Sequence, residues 1–182
     1  MIKKKEKVLF EGEWLKLKQL TFLNRENKKI TWETIERKNT KKIVVVIAKL
    51  KPSNRLVLIE QFRPPLNKSV IGFPAGLAKS NNIKKEALKE LKEETGYFGK
   101  IMSVSPDLAF NPAMTSELVN IVYAQINELA PKNLCPKQTL EPEEQIEVLL
   151  IKEPQVKAYL SKALKKGKQV STALWYLFNQ QI

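Results

Sequence analysis

Glu90, Glu93 and Glu94 lie close together near the end of a stretch that reads as a helix and stops at Gly96. At 3.6 residues per turn, Glu90 and Glu94 stand one turn apart, about 40° around the axis, and Glu93 lies about 60° to the other side of Glu90. Three carboxylates so close repel one another, so the array is costly unless water solvates it or a cation sits among them. Oxygen-only ligands suit Mg²⁺ or Mn²⁺. These metals commonly bridge protein carboxylates to phosphate oxygens, so the array points to a metal-dependent enzyme acting on a phosphate-containing substrate. A bare glutamate–lysine helix would instead read as a solvated charged face. Glu86, one turn before Glu90, takes that reading and is expected at the surface.

Composition removes several alternatives. The 182 residues include no histidine, which excludes Ser-His-Asp triads, Cys-His pairs and HExxH zinc sites. Cys135 is the only cysteine, so no disulfide and no Cys-x-x-Cys knuckle can form within the chain. Carboxylates, lysines, arginines and tyrosines remain as acids, bases and ligands. The net charge of +13 comes almost wholly from lysine and is spread along the chain, so we expect no specific nucleic-acid partner. Only four arginines occur, and two of them, Arg37 and Arg63, lie in distinctive segments. No apolar run approaches the ~20 residues of a membrane helix, and Met1-Ile-Lys-Lys-Lys5 leads into no signal-peptide core. A cytoplasmic protein without a membrane span is the expectation.

Positioning the acidic array requires a mixed scaffold. Alternation predicts strands at Val8–Phe10, Trp14–Leu17, Gln19–Leu23 and Ile30–Arg37, with a polar turn at Asn24–Lys29. Ile43–Ala48 and Leu56–Glu60 are apolar runs typical of buried central strands, and Pro64-Pro65 ends the second. Gly72–Gly76 reads as a strand end entering a loop, Ala78–Asn81. A helix follows over Ile83–Thr95, capped by Asn82 and stopped by Gly96, with Ile83, Ala87, Leu88 and Leu91 as its buried stripe. Further strands are expected at Ile101–Pro106, Leu118–Gln125 and Ile146–Ile151, with a loop over Asn127–Leu140. Helices at Pro154–Lys166 and Val170–Gln180, separated by Gly167, complete the chain. Strands and helices mix without regular βαβ alternation, which favours a mixed sheet with helices packed on it.

At this point the chain resembles the Nudix hydrolases. Their signature is Gly-x5-Glu-x7-Arg-Glu-U-x-Glu-Glu-x-Gly-U, with U apolar, and its second half reads here Lys89-Glu-Leu-Lys-Glu-Glu-Thr-Gly-Tyr97. Within that family it looks most like the ADP-ribose and ADP-sugar pyrophosphatases. The supporting segments are Glu11–Leu17, Thr31-Trp-Glu33, Glu60-Gln-Phe-Arg-Pro-Pro65, Phe73-Pro-Ala-Gly-Leu77 and Asn111-Pro112, in shared order over roughly residues 8–160.

The resemblance implies an α/β fold, a Nudix-type α/β/α sandwich with a mixed sheet and an added N-terminal antiparallel β region. Residues 1–182 would form one domain. Within it, 1–40 would be the N-terminal β region through which a homodimer forms, 41–152 the core and 153–182 the C-terminal helices. It implies hydrolysis of the pyrophosphate bond of ADP-ribose or a related ADP-sugar, with Mg²⁺ or Mn²⁺ as cofactor. Glu90, Glu94 and the Ala75 carbonyl would be metal ligands, with Glu93 a ligand or a water-orienting carboxylate. The base would come from the acidic loop Glu141–Val148, where Glu144 aligns best and Glu143 and Glu141 are rivals. Trp14 and Trp32 would stack on adenine, one from each subunit, and Glu33 would hydrogen-bond the base. Arg37 and Arg63 would contact phosphate or ribose, and Pro112, 16 residues after Gly96, would mark ADP-ribose specificity.

Other members of the family hydrolyse different nucleoside diphosphate derivatives, and a non-catalytic ADP-ribose-binding domain is the alternative from another class. Three positions depart from the pattern. Asn81 or Asn82 stands at the signature's first glutamate, and the loop before it is one residue short. Lys89 stands for the arginine and is expected to offer its charge toward that loop. Gly72 stands where related enzymes often carry an acid.

Overall fold

In the computed structural model, residues 1–40 and 42–179 are described; Lys41, at the boundary drawn for the core, and Gln180, the expected end of the last helix, lie outside them. The chain forms a three-stranded antiparallel sheet followed by a nine-stranded mixed sheet with helices on both faces. The first sheet comprises β1 (Ile2–Glu11), β2 (Leu15–Leu23) and β3 (Lys29–Arg37) in that order.

The two short strands expected before Asn24 are one, β2, preceded by a β1 longer than Val8–Phe10. Lys18 makes this possible. Its ammonium lies 2.8 Å from both Glu6 and Glu36, so a charge that interrupts the apolar pattern is satisfied across three strands.

In the second sheet the path runs β12 (Gln169–Val170), β6 (Lys68–Gly72), β5 (Arg55–Arg63), β4 (Lys42–Lys51), β10 (Leu118–Asn127) and β8 (Lys100–Val104). Off this path, β11 (Ile146–Lys152) pairs with β5, β7 (Ala75–Leu77) with β4 and β9 (Leu108–Ala109) with β10. Strand β10 runs parallel to β4 over its whole length, from Leu118 opposite Lys42 to Asn127 opposite Lys51. These central strands read as apolar runs because both their faces are covered.

On one face, α1 (Ile83–Thr95) buries Ala87 and Leu91 against Val44, Val46, Val57, Val122 and Ile126. Ile83 packs at the edge of this cluster and Leu88 is half-buried, so the expected stripe is present with its weight on Ala87 and Leu91. On the other face, α2 (Val156–Lys165) and α3 (Thr172–Phe178) bury Val156, Leu160 and Leu174 against Leu56, Leu58, Ile71 and Phe73. The fold is therefore the expected α/β sandwich on a mixed sheet. Val170, expected to open the last helix, instead pairs with Ile71 in β12, and Ser171 caps α3 through the Leu174 amide. Among the described residues no helix is long and apolar enough to cross a membrane.

The N-terminal sheet docks onto the segment before β10. Trp32 Nε1 donates to the Ala113 carbonyl at 2.8 Å, Thr34 Oγ1 to the Met114 carbonyl at 2.9 Å, and Arg37 Nε to Glu117 Oε1 at 2.6 Å. These bonds hold Trp32 against the residue that follows Pro112.

Leu91 is fully buried at the centre of the α1 face. Leu91→Ala should cost about 2–5 kcal/mol of folding stability through lost transfer energy and a residual cavity. Urea denaturation of the variant against the parent chain measures it; a cost below about 1 kcal/mol would mean that α1 does not anchor this core.

Candidate active site

The site is built where β7 meets α1. Asn82 caps the helix by accepting from the Lys85 amide at 3.1 Å, and Gly96 ends it in the left-handed conformation at φ 76°. A side chain at Gly96 would also run into the backbone of Pro136 and Lys137, so that segment lies directly on the helix end. The last carbonyls of α1 are then satisfied from outside the helix. Thr139 donates its amide to the Glu93 carbonyl at 2.8 Å, and Gln138 Nε2 donates to the Glu94 carbonyl at 2.6 Å. The loop expected over Asn127–Leu140 thus serves as a clamp on the helix end.

Opposite α1, Val46 donates its amide to the Pro74 carbonyl at 2.8 Å, which makes Val45 and Ala75 the neighbouring non-hydrogen-bonded pair. The amide and carbonyl of Ala75 therefore both point away from β4. The amide donates to Glu94 Oε2 at 2.9 Å. At Gly76 an added Cβ would collide with the Glu90 carboxylate, so any side chain there would push that carboxylate from its place.

Glu94 is 2% exposed. Burial pushes its pKa up to about 8 against the opposing Ala75 hydrogen bond; Glu90 and Glu144 raise it further, and Arg63 opposes them weakly. Glu90 is also raised, by burial first, with Lys89 opposing and Glu93 and Glu144 adding to the rise. Glu93 is less enclosed, 2.9 Å from Lys89 Nζ, which also lies 3.7 Å from Glu90. Glu144 is the acidic-loop residue that acts electrically on both Glu90 and Glu94. Its own Oε2 accepts the Glu141 amide at 3.0 Å. Glu143 instead lines a shallow cavity with Phe62, Pro64 and Gln145. The fold therefore brings together Ala75, Glu90, Glu93, Glu94 and Glu144, with Arg63 in range.

Two expectations need correction. Glu86 is buried rather than at the surface. It accepts from Ser80 Oγ at 2.6 Å and from the Lys79 amide at 3.2 Å, and the Ser80 bond chiefly holds its pKa below the usual carboxylate value. Lys89 does not supply the loop with its close ionic contact; that goes to Glu93. The loop before α1 is thus held by Glu86, one turn in. The signal available in the sequence was an acid in the first helical turn just after a polar Ser-Asn-Asn run. At Gly72, an added Cβ would lie 3.3 Å from Ser171 Oγ, so a side chain there would press on the cap of α3.

Trp14 and Trp32 stand apart from this carboxylate group on the first sheet, 64% and 50% exposed, and Arg37 is engaged with Glu117. Glu33 lies opposite Gln19 in the β2–β3 ladder.

The donor set fits a hard divalent cation: two carboxylates held out of water and a backbone carbonyl free of the β4 ladder. Among the described residues no three acidic, cysteine or histidine side chains form a ready-made metal cluster. A cation such as Mg²⁺, which retains waters and binds through one or two carboxylates plus substrate oxygens, requires no such cluster.

No family profile matches the chain. It is 32% identical over 166 residues to the putative nudix hydrolase 2 of Caenorhabditis elegans, covering 86% of this chain and 74% of that protein. It is 30% identical over 140 residues to the ADP-sugar pyrophosphatase of Mus musculus, covering 72% of this chain and 64% of the mouse protein. Its fold matches a crystal structure of an ADP compounds hydrolase with a TM-score of 0.66 at 16% identity, over 88% of this chain and 84% of the other.

Glu94 gives a pH test of the site. Its pKa rises from an ordinary 4.5 unfolded to about 8 folded, so the folded chain holds the extra proton between these values. The resulting stability is full below pH 4.5 and is lost as pH rises through 8, a loss on the order of a few kcal/mol. In chelator, urea midpoints of the parent chain should fall between pH 5 and 8 relative to those of Glu94→Gln, which cannot ionise. Parallel curves would show that Glu94 is already charged at pH 5.

Proposed function

The chain belongs to the Nudix hydrolases, and from that premise we propose that it cleaves the diphosphate bond of ADP-ribose or a related ADP-sugar. The products are AMP and a sugar phosphate, and the cofactor is Mg²⁺ or Mn²⁺. The observation that carries the reading is the buried Glu94 and half-buried Glu90 lying against the Ala75–Gly76 strand, with Glu144 close enough to act on both. A divalent cation held by Glu90, Glu94 and the Ala75 carbonyl, with Glu93 at its margin, would neutralise diphosphate oxygens and lower the pKa of a bound water. Glu144 acts as the base. It takes the proton as a water oxygen attacks one phosphorus and the bridging P–O bond breaks. Glu143 faces the Phe62–Pro64 cavity and is the weaker candidate for this task. Arg63, held before Pro64-Pro65, clamps a phosphate oxygen as the diphosphate gains charge.

Recognition of the adenosine end falls to the first sheet. Trp14 and Trp32 present indole faces for stacking on adenine, and Glu33 offers an acceptor to the base. The indole N–H bond of Trp32 to Ala113 supports a pocket that includes Pro112. Arg37 keeps guanidinium N–H groups for ribose or phosphate beyond the one given to Glu117. The choice of an ADP-sugar rests on this arrangement and on the mouse relative's name. A cytoplasmic setting accords with a lone, unpaired and exposed Cys135.

Purified protein with ADP-ribose and Mg²⁺ should release AMP. No release across a range of Mg²⁺ and Mn²⁺ concentrations would overturn the reading. Glu90→Gln should cut turnover by about two orders of magnitude or more, because a neutral amide binds the cation poorly, while leaving the fold intact. Circular dichroism and AMP release together check this.

The first sheet and its first turn leave Phe10, Trp14 and Trp32 67%, 64% and 50% exposed, more aromatic surface than a lone chain ordinarily leaves uncovered. We propose that it pairs with a second copy, so that each adenine pocket draws an indole from each subunit. Light scattering at micromolar concentration should give the mass of a dimer; a monomer alone would remove the shared pocket.

A further inference from the structure

We propose that Gln61 is a positioning residue of the hydrolytic site, its side-chain amide holding a water of the Glu90–Glu94 cradle by a hydrogen bond. This assignment rests on the hydrolase reading above. Gln61 is 9% exposed, and its Oε1 is buried with no hydrogen-bond partner among the described residues. A buried carbonyl-type oxygen left without a donor is costly, so a site that retains one has a use for it.

The placement of Gln61 indicates the use. Side chains alternate along β5, and Val57 belongs to the core beneath α1, so Ile59, Gln61 and Arg63 follow it on that same face. Arg63 is already in electrostatic range of Glu94. Across the ladder Gln61 stands opposite Ile146, whose carbonyl accepts from Gln138 Nε2 at 3.1 Å while the same nitrogen binds the Glu94 carbonyl. Glu144 lies two residues before Ile146. Gln61 is thus flanked by Arg63 along its strand and by the Glu144–Ile146 segment across it, with the C-terminal turn of α1 tied to that segment.

With a cation in the cradle, Glu90 and Glu94 are carboxylates that can only accept hydrogen bonds, so neither supplies the missing donor there. A water in the cradle can, and the terminal torsion of glutamine is broad enough to turn the oxygen toward it. With its amide so engaged, Gln61 orients water without carrying charge, which leaves the balance between carboxylates and cation unaltered.

Gln61→Leu removes both polar atoms at similar volume. In an active parent protein, the variant should bind Mn²⁺ about tenfold more weakly and show kcat about tenfold lower, with KM for ADP-ribose within twofold. Mn²⁺ affinity is read by electron paramagnetic resonance, without substrate. The melting temperature in chelator should stay level or rise, because an unsatisfied polar atom has been taken from the interior. Mn²⁺ affinity and kcat both within twofold of the parent would overturn the assignment. So would a lower melting temperature with unchanged Mn²⁺ affinity, which marks a structural role only. A parent protein that neither binds Mn²⁺ nor releases AMP would overturn the hydrolase reading and this one with it. Failure confined to the variant comparison removes Gln61 alone.

Discussion

The hydrogen bond from the Ala75 amide to the Glu94 carboxylate joins the two elements on which the site depends. It ties the end of α1 to a three-residue strand that would otherwise be held by β4 alone. Because that amide serves a side chain, it is withdrawn from the sheet ladder, and the carbonyl of the same residue is withdrawn with it. The absence of a side chain at Gly76 then lets Glu90 settle against the strand. The helix end is in turn clamped by Gln138 and Thr139, so the carboxylate cannot drift along the helix axis. Each of these features is a backbone group satisfied from an unusual direction, and together they set where two acids lie.

The electrostatics follow from burial more than from neighbouring charge. The chain carries a net charge of +13, yet the buried carboxylate of Glu94 has only a weak influence from Arg63 to offset its acidic neighbours. The nearest lysine, Lys89, serves the outer carboxylate Glu93 and touches the inner region only through Glu90. Positive charge is therefore abundant on the molecule and scarce where the acids converge. This is the distribution that suits a site whose counter-charge arrives with its ligand, since a resident ammonium would compete for the same oxygens.

Much of this was legible in the sequence. Asn82 and Gly96 mark the ends of α1 by local chemistry, and local chemistry survives folding. The apolar runs at Ile43–Ala48 and Leu56–Glu60 show strands covered on both faces, as the sheet confirms. The Pro74-Ala75-Gly76 segment and the glutamates of α1 were recognisable as parts of one arrangement. Residues whose surroundings come from distant segments were not legible. Glu86 looks like any exposed glutamate until Ser80 and Lys79 fold over it. Lys89 lies in reach of both the loop and Glu93, and only geometry decides between them. Lys18 interrupts the apolar pattern of its strand, and the partners that neutralise it, Glu6 and Glu36, come from two other strands. Gln61 lies in a segment that marks the family, yet nothing there tells that its side-chain oxygen is left without a donor, because an unsatisfied atom is a property of an environment.

The parallel ladder between β4 and β10 joins positions 76 apart in the chain, Leu118 with Lys42. Its formation closes a long loop, and the loop-closure entropy is paid before most of the pairing energy is returned. The whole of β7 and α1 lies inside that loop. During synthesis, the helix bearing the carboxylates emerges well before the strand that completes its core. A nascent chain that has not yet extended past residue 127 therefore carries its acids on a helix with an unfinished floor. Completion of this core is a late event in the life of each molecule, set by topology rather than by the helix that displays the carboxylates.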